Sequence, residues 1–335
     1  MKKRLSICFI TLTFIVAFCM GFIFSWVFEK KPVVIEKEKI VKIKEEKLKN
    51  IEVNEWVNIP TYEKSNETTH PKVLYFEKPV NGYKYWLVST PYPYNTAFYE
   101  NPSMVVSNDG THFVEPDNLK NPISGYPSKY WNGTYYSDPY MLYDNDHFEL
   151  FYRKTSSDSN NYVYMKTSSD GTTWSDAKII LNNDPNEQYM SISVVKLNNK
   201  YKIWYVNYNN SVRYIESDDL ITYTKPVNVS VSDFNGRIWH GEIQYINNKY
   251  VWLFMIKYKL FYSESTDGIN FSKPKLINTE LDELKNISNN IYKSTYIIND
   301  DTVELYIPYR VYDEYKKRHV WRIRYKKVDK SKFYD

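Results

Sequence analysis

The chain has 335 residues, 42% of them hydrophobic and 25% charged, which excludes wholesale disorder and the fibrous classes. Its net charge of +4 sits at one end: Lys2, Lys3 and Arg4 carry +3, and residues 29–50, with eight lysines and five glutamates, carry another +3. Everything after residue 50 is left at about −2, which gives no electrostatic reason to expect nucleic acid as a partner. Glycine is scarce at 9 residues, whereas 34 tyrosines and 18% aromatics are far above ordinary usage. Tyrosine favours strands, and its ring with a polar tip suits partly wet surfaces, so the composition points to an all-β protein with a polar ligand face.

Residues 1–4 form a basic lead. Leu5 to Phe28 is an uncharged stretch of 24 residues closed by Glu29-Lys30-Lys31, long enough to cross a bilayer as a helix. Its far end, Phe22-Ile23-Phe24-Ser25-Trp26, is too bulky for a signal-peptidase site, and Trp26 suits the membrane interface. An uncleaved signal-anchor over 5–28 is expected, with a cytoplasmic N-terminus, an exported body and the lipid bilayer as one partner. Both cysteines, Cys8 and Cys19, fall inside this segment, so the body has neither disulfides nor thiolate metal sites. Residues 29–55, where lysine and glutamate alternate, read as a charged stalk.

From residue 56 onward the sequence repeats itself. Ser107-Asn108-Asp109-Gly110-Thr111-His112-Phe113 recurs as Ser168-Ser169-Asp170-Gly171-Thr172-Thr173-Trp174 and as Ser265-Thr266-Asp267-Gly268-Ile269-Asn270-Phe271, with a decayed copy at Ser217-Asp218-Asp219-Leu220. Asp can bond nearby amides and Gly can take positive φ, so each copy reads as a tight turn plugged by an aromatic residue. Ahead of each turn stand two strand-like runs around an Asn- or Asp-rich hairpin, as in Ser191–Val195, Asn198-Asn199, Tyr201–Tyr205. Four strands per unit and five units, near 68–116, 136–181, 189–229, 238–278 and 291–329, predict a five-bladed β-propeller over 56–335. The fifth unit lacks the Asp turn and is expected to close with help from residues 56–68. Residues 117–135 form the longest connection and are expected to cap one face.

The innermost strand of each blade lines the channel of a propeller. Registering the copies on Phe148, Tyr201, Tyr250 and Val303 places Asp138, Ser191, His240 and Lys293 in one ring at the channel mouth, ten residues earlier in each case. Two residues further, on the same strand face, come Tyr140, Ser193, Glu242 and Thr295. Unpaired charges are expensive to desolvate, so this convergence marks a site, or else a salt-bridged plug that fills the channel.

Ser137-Asp138-Pro139 followed by Tyr143-Asp144-Asn145-Asp146 resembles the Asp-Pro strand and Asp-rich turn of five-bladed glycoside hydrolases, families 43 and 32 especially. The Ser-x-Asp-Gly turns are similar to those of the same propellers and of sialidases. The resemblance implies a carbohydrate partner and an acid–base pair of carboxylates without a cofactor, and the residues themselves show no metal cluster. By it, Asp138 matches the orienting acid and Glu242 the general acid. The departure is in blade one, where His70-Pro71 stands in place of the base aspartate and Glu100 is the nearest carboxylate. A variant in which Asp138 is the base, Glu242 the acid, and His240, Lys293 or Glu100 tunes the pair is open on the residues alone. Arg153 and Arg310 end second strands and are candidates for sugar hydroxyls or a sugar carboxylate, as is His70. Trp86, Tyr92, Tyr94, Trp131 and Tyr140 are candidates for contact with sugar rings. The leading reading is a membrane-anchored extracellular glycosidase. A glycan-binding propeller without catalysis and a structural or interaction module are the alternatives, and the oligomeric state is open.

Overall fold

The computed structural model describes residues 52–125, 131–209, 211–277, 279 and 287–333, together with Lys37. The anchor expected over 5–28 and nearly all of the stalk lie outside the described residues. Among the described residues no helix is long and apolar enough to cross a membrane.

Val53–Asp335 is one compact unit built as five antiparallel blades. Blade one holds Thr68–Val80, Tyr83–Pro91 and Ser103–Ser107, with Val114 bridged to Val106 at its edge. Blade two holds Tyr135–Asp144, His147–Thr155, Asn161–Ser168 and Lys178–Leu181, and blade three Met190–Leu197, Lys200–Val206, Val212–Ser217 and Val227–Asn228. Blade four runs through His240–Ile246, Lys249–Ile256, Lys259–Ser265 and Lys275–Ile277. Blade five consists of Thr295–Ile298, Thr302–Asp313 and Arg318–Asp329, and its outer strand is Val53–Val57 from the other end of the chain. The ring is therefore closed by a strand that shares Trp56 and Val57 with the segment expected to do so; residues 58–67 lead from it into blade one.

The local chemistry explains both the scarcity of glycine and the abundance of rings. The hairpins between first and second strands need two residues with positive φ, and Asn145-Asp146, Asn198-Asn199 and Asn247-Asn248 supply them where glycine is usual. All four Asp turns form. In each, the Asp carboxylate (Asp109, Asp170, Asp219, Asp267) accepts from backbone amides two and three residues on. The preceding serine caps the amide of the third residue after it. The turn glycine also seats a ring of the preceding blade. A Cβ on Gly171 would lie 2.2 Å from Trp86, and one on Gly268 2.8 Å from Trp204, whose indole donates to the Gly268 carbonyl. Tyr306 of blade five likewise donates to the Gly110 carbonyl. Trp86 is thus fully buried between blades one and two, which corrects its assignment to substrate. Burying a ring of this kind contributes about 1.5–3 kcal/mol, and at these three seams the ring locks one blade to the next.

The 117–135 connection, where described, runs back along blade one: Asn121 bonds both polar groups of Met104, and Asn101 donates to the Gly125 carbonyl.

Candidate active site

Three blades each deliver one donor to the channel mouth. In blade one the ladder breaks between Thr69 and Lys72, and in blade two between Ser137 and Tyr140. His70 and Asp138 sit at these breaks with φ of 51° and 53°. Each is followed by a proline, which has no amide to continue the ladder. Bulges of this type re-aim a side chain, and a non-glycine residue held there costs of order 1–3 kcal/mol, an expense that clusters at functional sites. His240 opens the first strand of blade four. Ser191 holds the same left-handed conformation in blade three, and its hydroxyl bonds both the amide and the carbonyl of Gly241 at 3.0 Å, fixing the strand start that carries His240.

His70 Nε2 lies 3.5 Å from Asp138 Oδ1, and His240 Nδ1 lies 3.7 Å from the same oxygen. The three residues are at most 3% exposed. One donor atom from each can be chosen so that all lie within 4.8 Å of one another. The distances are too long for hydrogen bonds, and His70 Nε2, Asp138 Oδ1 and both nitrogens of His240 are buried without a hydrogen-bond partner. Such orphans are costly unless something occupies the space between them. Two donors held at about 2.1 Å from one cation at a tetrahedral angle lie roughly 3.4 Å apart, so the spacing fits a divalent metal, and the donor set is the two-histidine, one-carboxylate kind.

The surroundings keep the donors in the form a metal takes. Burial pushes the His70 imidazole down to about 4 and that of His240 well below its ordinary value, against the pull of Asp138, so both are neutral at pH 7. Burial alone would raise the Asp138 carboxyl; His70, Arg153, His240 and Lys293 together hold it well below the usual carboxylate range. Arg153 Nε lies 3.1 Å from Asp138 Oδ2, leaving Oδ1 to face the histidines, and its other nitrogens bond Ser137 and Asn161. His70 Nδ1 bonds Thr90 Oγ1 at 2.9 Å, which reserves Nε2 for the cluster. Glu100 is buried beside Asp138 and Arg153, and burial and Asp138 push its carboxyl up to about 8. Tyr292 packs against both histidine rings, at 4.9 and 4.5 Å between centroids, and Trp239, half exposed, stacks on His240.

One layer deeper the channel is filled. Glu242 Oε1 is 2.6 Å from Lys72 Nζ and also accepts from Gln244, which in turn donates to the Tyr296 carbonyl. Tyr140 donates to the Ile243 carbonyl, with Lys72 5.0 Å and Lys293 6.0 Å from its ring centre. Lys293 is buried, and its ammonium is pushed below its ordinary value by burial, against the pull of Asp138 and Glu242.

The shared offset thus brings Asp138, His240 and Lys293 together, with His70 and Glu100 beside them. It places Glu242 and Tyr140 in the plug, where Glu242 is held by a lysine and an amide and Tyr140 presents no free hydroxyl to a sugar. Arg153 is engaged by Asp138 and orients that carboxylate, in place of the sugar contact expected of it. Arg310 stands near Tyr92, and Trp131 is half exposed against Phe98. Sequence reasoning missed Lys72, Trp239 and Tyr292; the last two carried a signal, being neighbours of His240 and Lys293. No metal cluster was expected from the sequence; His70, Asp138 and His240, which could hold one ion, come from blades one, two and four.

No family model matches the chain. It is 30% identical over 233 residues to the A type blood N-acetyl-α-D-galactosamine deacetylase of Flavonifractor plautii, a match taking in 54% of this chain and 30% of that protein. The match therefore spans under a third of the relative's length. The crystal structure of an N-acetylgalactosamine deacetylase from F. plautii in complex with blood group B trisaccharide superposes with a TM-score of 0.72 at 21% identity, over 84% of this chain and 96% of that one. A GH43 endo-arabinanase from Bacillus licheniformis superposes with a TM-score of 0.55 at 12% identity, over 82% and 96%. The fold is the five-bladed propeller of GH43-type glycoside hydrolases. A family 117 glycoside hydrolase from Zobellia galactanivorans has it too, with a TM-score of 0.54 at 11% identity over 83% and 90% of the two chains.

Proposed function

We propose that this propeller is a glycan-directed hydrolase that removes the acetyl group from an N-acetylated sugar, using a divalent metal ion held by His70, Asp138 and His240. The observation that carries the reading is the set of orphaned donors at the mouth of an otherwise filled channel. The sequence likeness to a deacetylase supports the choice of bond. A bound ion of this kind polarises a carbonyl and makes water acidic enough to attack at neutral pH. The chain's own residues do the rest. Arg153 fixes the Asp138 carboxylate, Thr90 holds the His70 ring through Nδ1, and Glu100 carries a proton at neutral pH beside the cluster. Water oxygen joins the acetyl carbon, the C–N bond breaks, acetate leaves, and the departing sugar nitrogen takes up the proton.

A second reading, cleavage of a glycosidic bond by Asp138 and Glu242 as base and acid, is favoured by the fold shared with GH43 enzymes. The Lys72–Glu242 pair speaks against it. In either reading the body is exported and tethered to the membrane by residues 5–28. The experiment incubates the purified protein with N-acetylhexosamine oligosaccharides and aryl glycosides and measures both acetate and new reducing ends. Acetate release that EDTA abolishes and zinc or manganese restores is the expected outcome. New reducing ends or free aryl alcohol insensitive to EDTA would replace it with the glycosidase reading.

A further inference from the structure

We propose that a cavity walled by Tyr94 is a subsite for a second sugar of the same glycan, next to the sugar that reacts; the proposal rests on the glycan reading above. The cavity has a volume of about 590 Å³ and is bounded by Glu63, Tyr94, Tyr99, Lys316 and Arg318. That is within the range of small-ligand sites, roughly 300–1,000 Å³. A chain of contacts through two rings links its wall to the donor cluster. Asn95, next to Tyr94, accepts from the Trp321 indole at 2.8 Å, and Trp321 packs at 5.4 Å on Tyr292, the ring that touches both His70 and His240. Tyr92 of the same loop feels the charge of Glu100 beside the cluster, and Tyr94 walls the cavity.

Tyr94 is held as a platform. It is 65% exposed, and both it and Asn95 are in the left-handed region, at φ of 59° and 55°. Two successive non-glycine residues in that region cost free energy, and here the strain turns a large ring outward where packing would turn it in. The Arg318 guanidinium covers one face, 4.2 Å from the ring centre, and is itself pinned by two bonds to Glu67, which is 2% exposed. The ring is 65% exposed, and its uncovered surface suits the C–H face of a sugar. Glu63, held by Thr61 and Ser65, and Lys316, bonded to Glu67, stand at the rim to bond hydroxyls. The cations Lys64, Lys316 and Arg318 are nearly balanced by Glu63 and Glu67, which suits a neutral polyhydroxyl ligand better than a phosphate.

The test measures kcat/KM of the full chain on a panel of N-acetylhexosamine oligosaccharides of two to four units and on the corresponding monosaccharides. Tyr94→Ala is expected to lower the preference for the best oligosaccharide over its monosaccharide about ten-fold, chiefly through KM, and Tyr94→Trp to restore it. An unmoved preference in Tyr94→Ala, with the wild type still active on the panel, overturns the subsite and leaves the glycan reading standing. A wild type that neither binds nor turns over any member of the panel overturns the glycan reading and the subsite with it.

Discussion

Two layers of the same channel, one residue pair apart on the same strands, solve the burial of charge in opposite ways. In the lower layer Lys72 and Glu242 meet at 2.6 Å, and Gln244 adds a second bond to the same carboxylate oxygen. In the upper layer His70, Asp138 and His240 converge without touching, and four of their nitrogen and oxygen atoms lack a hydrogen bond. The upper layer also bears the backbone strain, at His70 and Asp138, while Lys72 and Glu242 sit in ordinary strand conformation. A plug is optimised against itself; a site is optimised against something that arrives. Both layers are buried, and they differ in degree of satisfaction: in the lower layer one atom, Glu242 Oε2, lacks a hydrogen bond, against four in the upper layer.

Substitutions can sharpen or break this contrast. The largest effect is expected from Asp138→Asn, which removes the charge shared by both histidines: acetate release should fall about a thousand-fold or more, with the far-ultraviolet circular dichroism spectrum retained. Lys72→Met should do the reverse. Leaving Glu242 buried and unpaired costs about 3–5 kcal/mol in urea denaturation, and the double variant Lys72→Met/Glu242→Leu should recover most of it. Turnover per folded molecule of that double variant should stay within a few-fold of wild type; if it is abolished, the lower layer belongs to the site and the contrast fails.

Arg153→Gln is expected to weaken metal affinity about 10–100-fold, since the guanidinium orients a ligand carboxylate without itself meeting the ion. The smallest effect concerns Glu100 and pH. Its carboxyl is raised from 4.5 to about 8 in the folded protein, so the cost of keeping it protonated is absent below pH 4.5 and grows as pH rises toward 8. Glu100→Gln should therefore raise the Tm at pH 7–8 and change it little at pH 4, measured by calorimetry across that range. Equal shifts at both pH values would show that the carboxyl is not the source.

The blades were legible because each carries its own local chemistry: the Ser-x-Asp-Gly turns and the Asn-rich hairpins need only nearby residues to form. The mouth ring was legible where the blades are regular, and Asp138, His240 and Lys293 follow from one offset. His70 escaped that register because the first hairpin of blade one is longer. Tyr75 pairs with Tyr85 there as Tyr143 pairs with Phe148 in blade two, so the anchor falls fifteen residues after the bulge residue in place of ten. Glu242 was misread because its partner, Lys72, lies 170 residues away and no local pattern announces the pair. The convergence of His70, Asp138 and His240 was invisible for the same reason. It is a property of three blades meeting, and none of the three residues has another of the set near it in sequence.

On the reading proposed above, the upper layer is a metal site and the lower layer is not. Titration of metal-stripped full chain with zinc or manganese, followed by calorimetry and checked by elemental analysis after dialysis, tests it most directly. One ion per chain is predicted for the wild type and for Lys72→Met/Glu242→Leu, with binding lost in His70→Ala and in His240→Ala. A wild type that binds no ion, or one whose binding survives both histidine substitutions, would contradict the account.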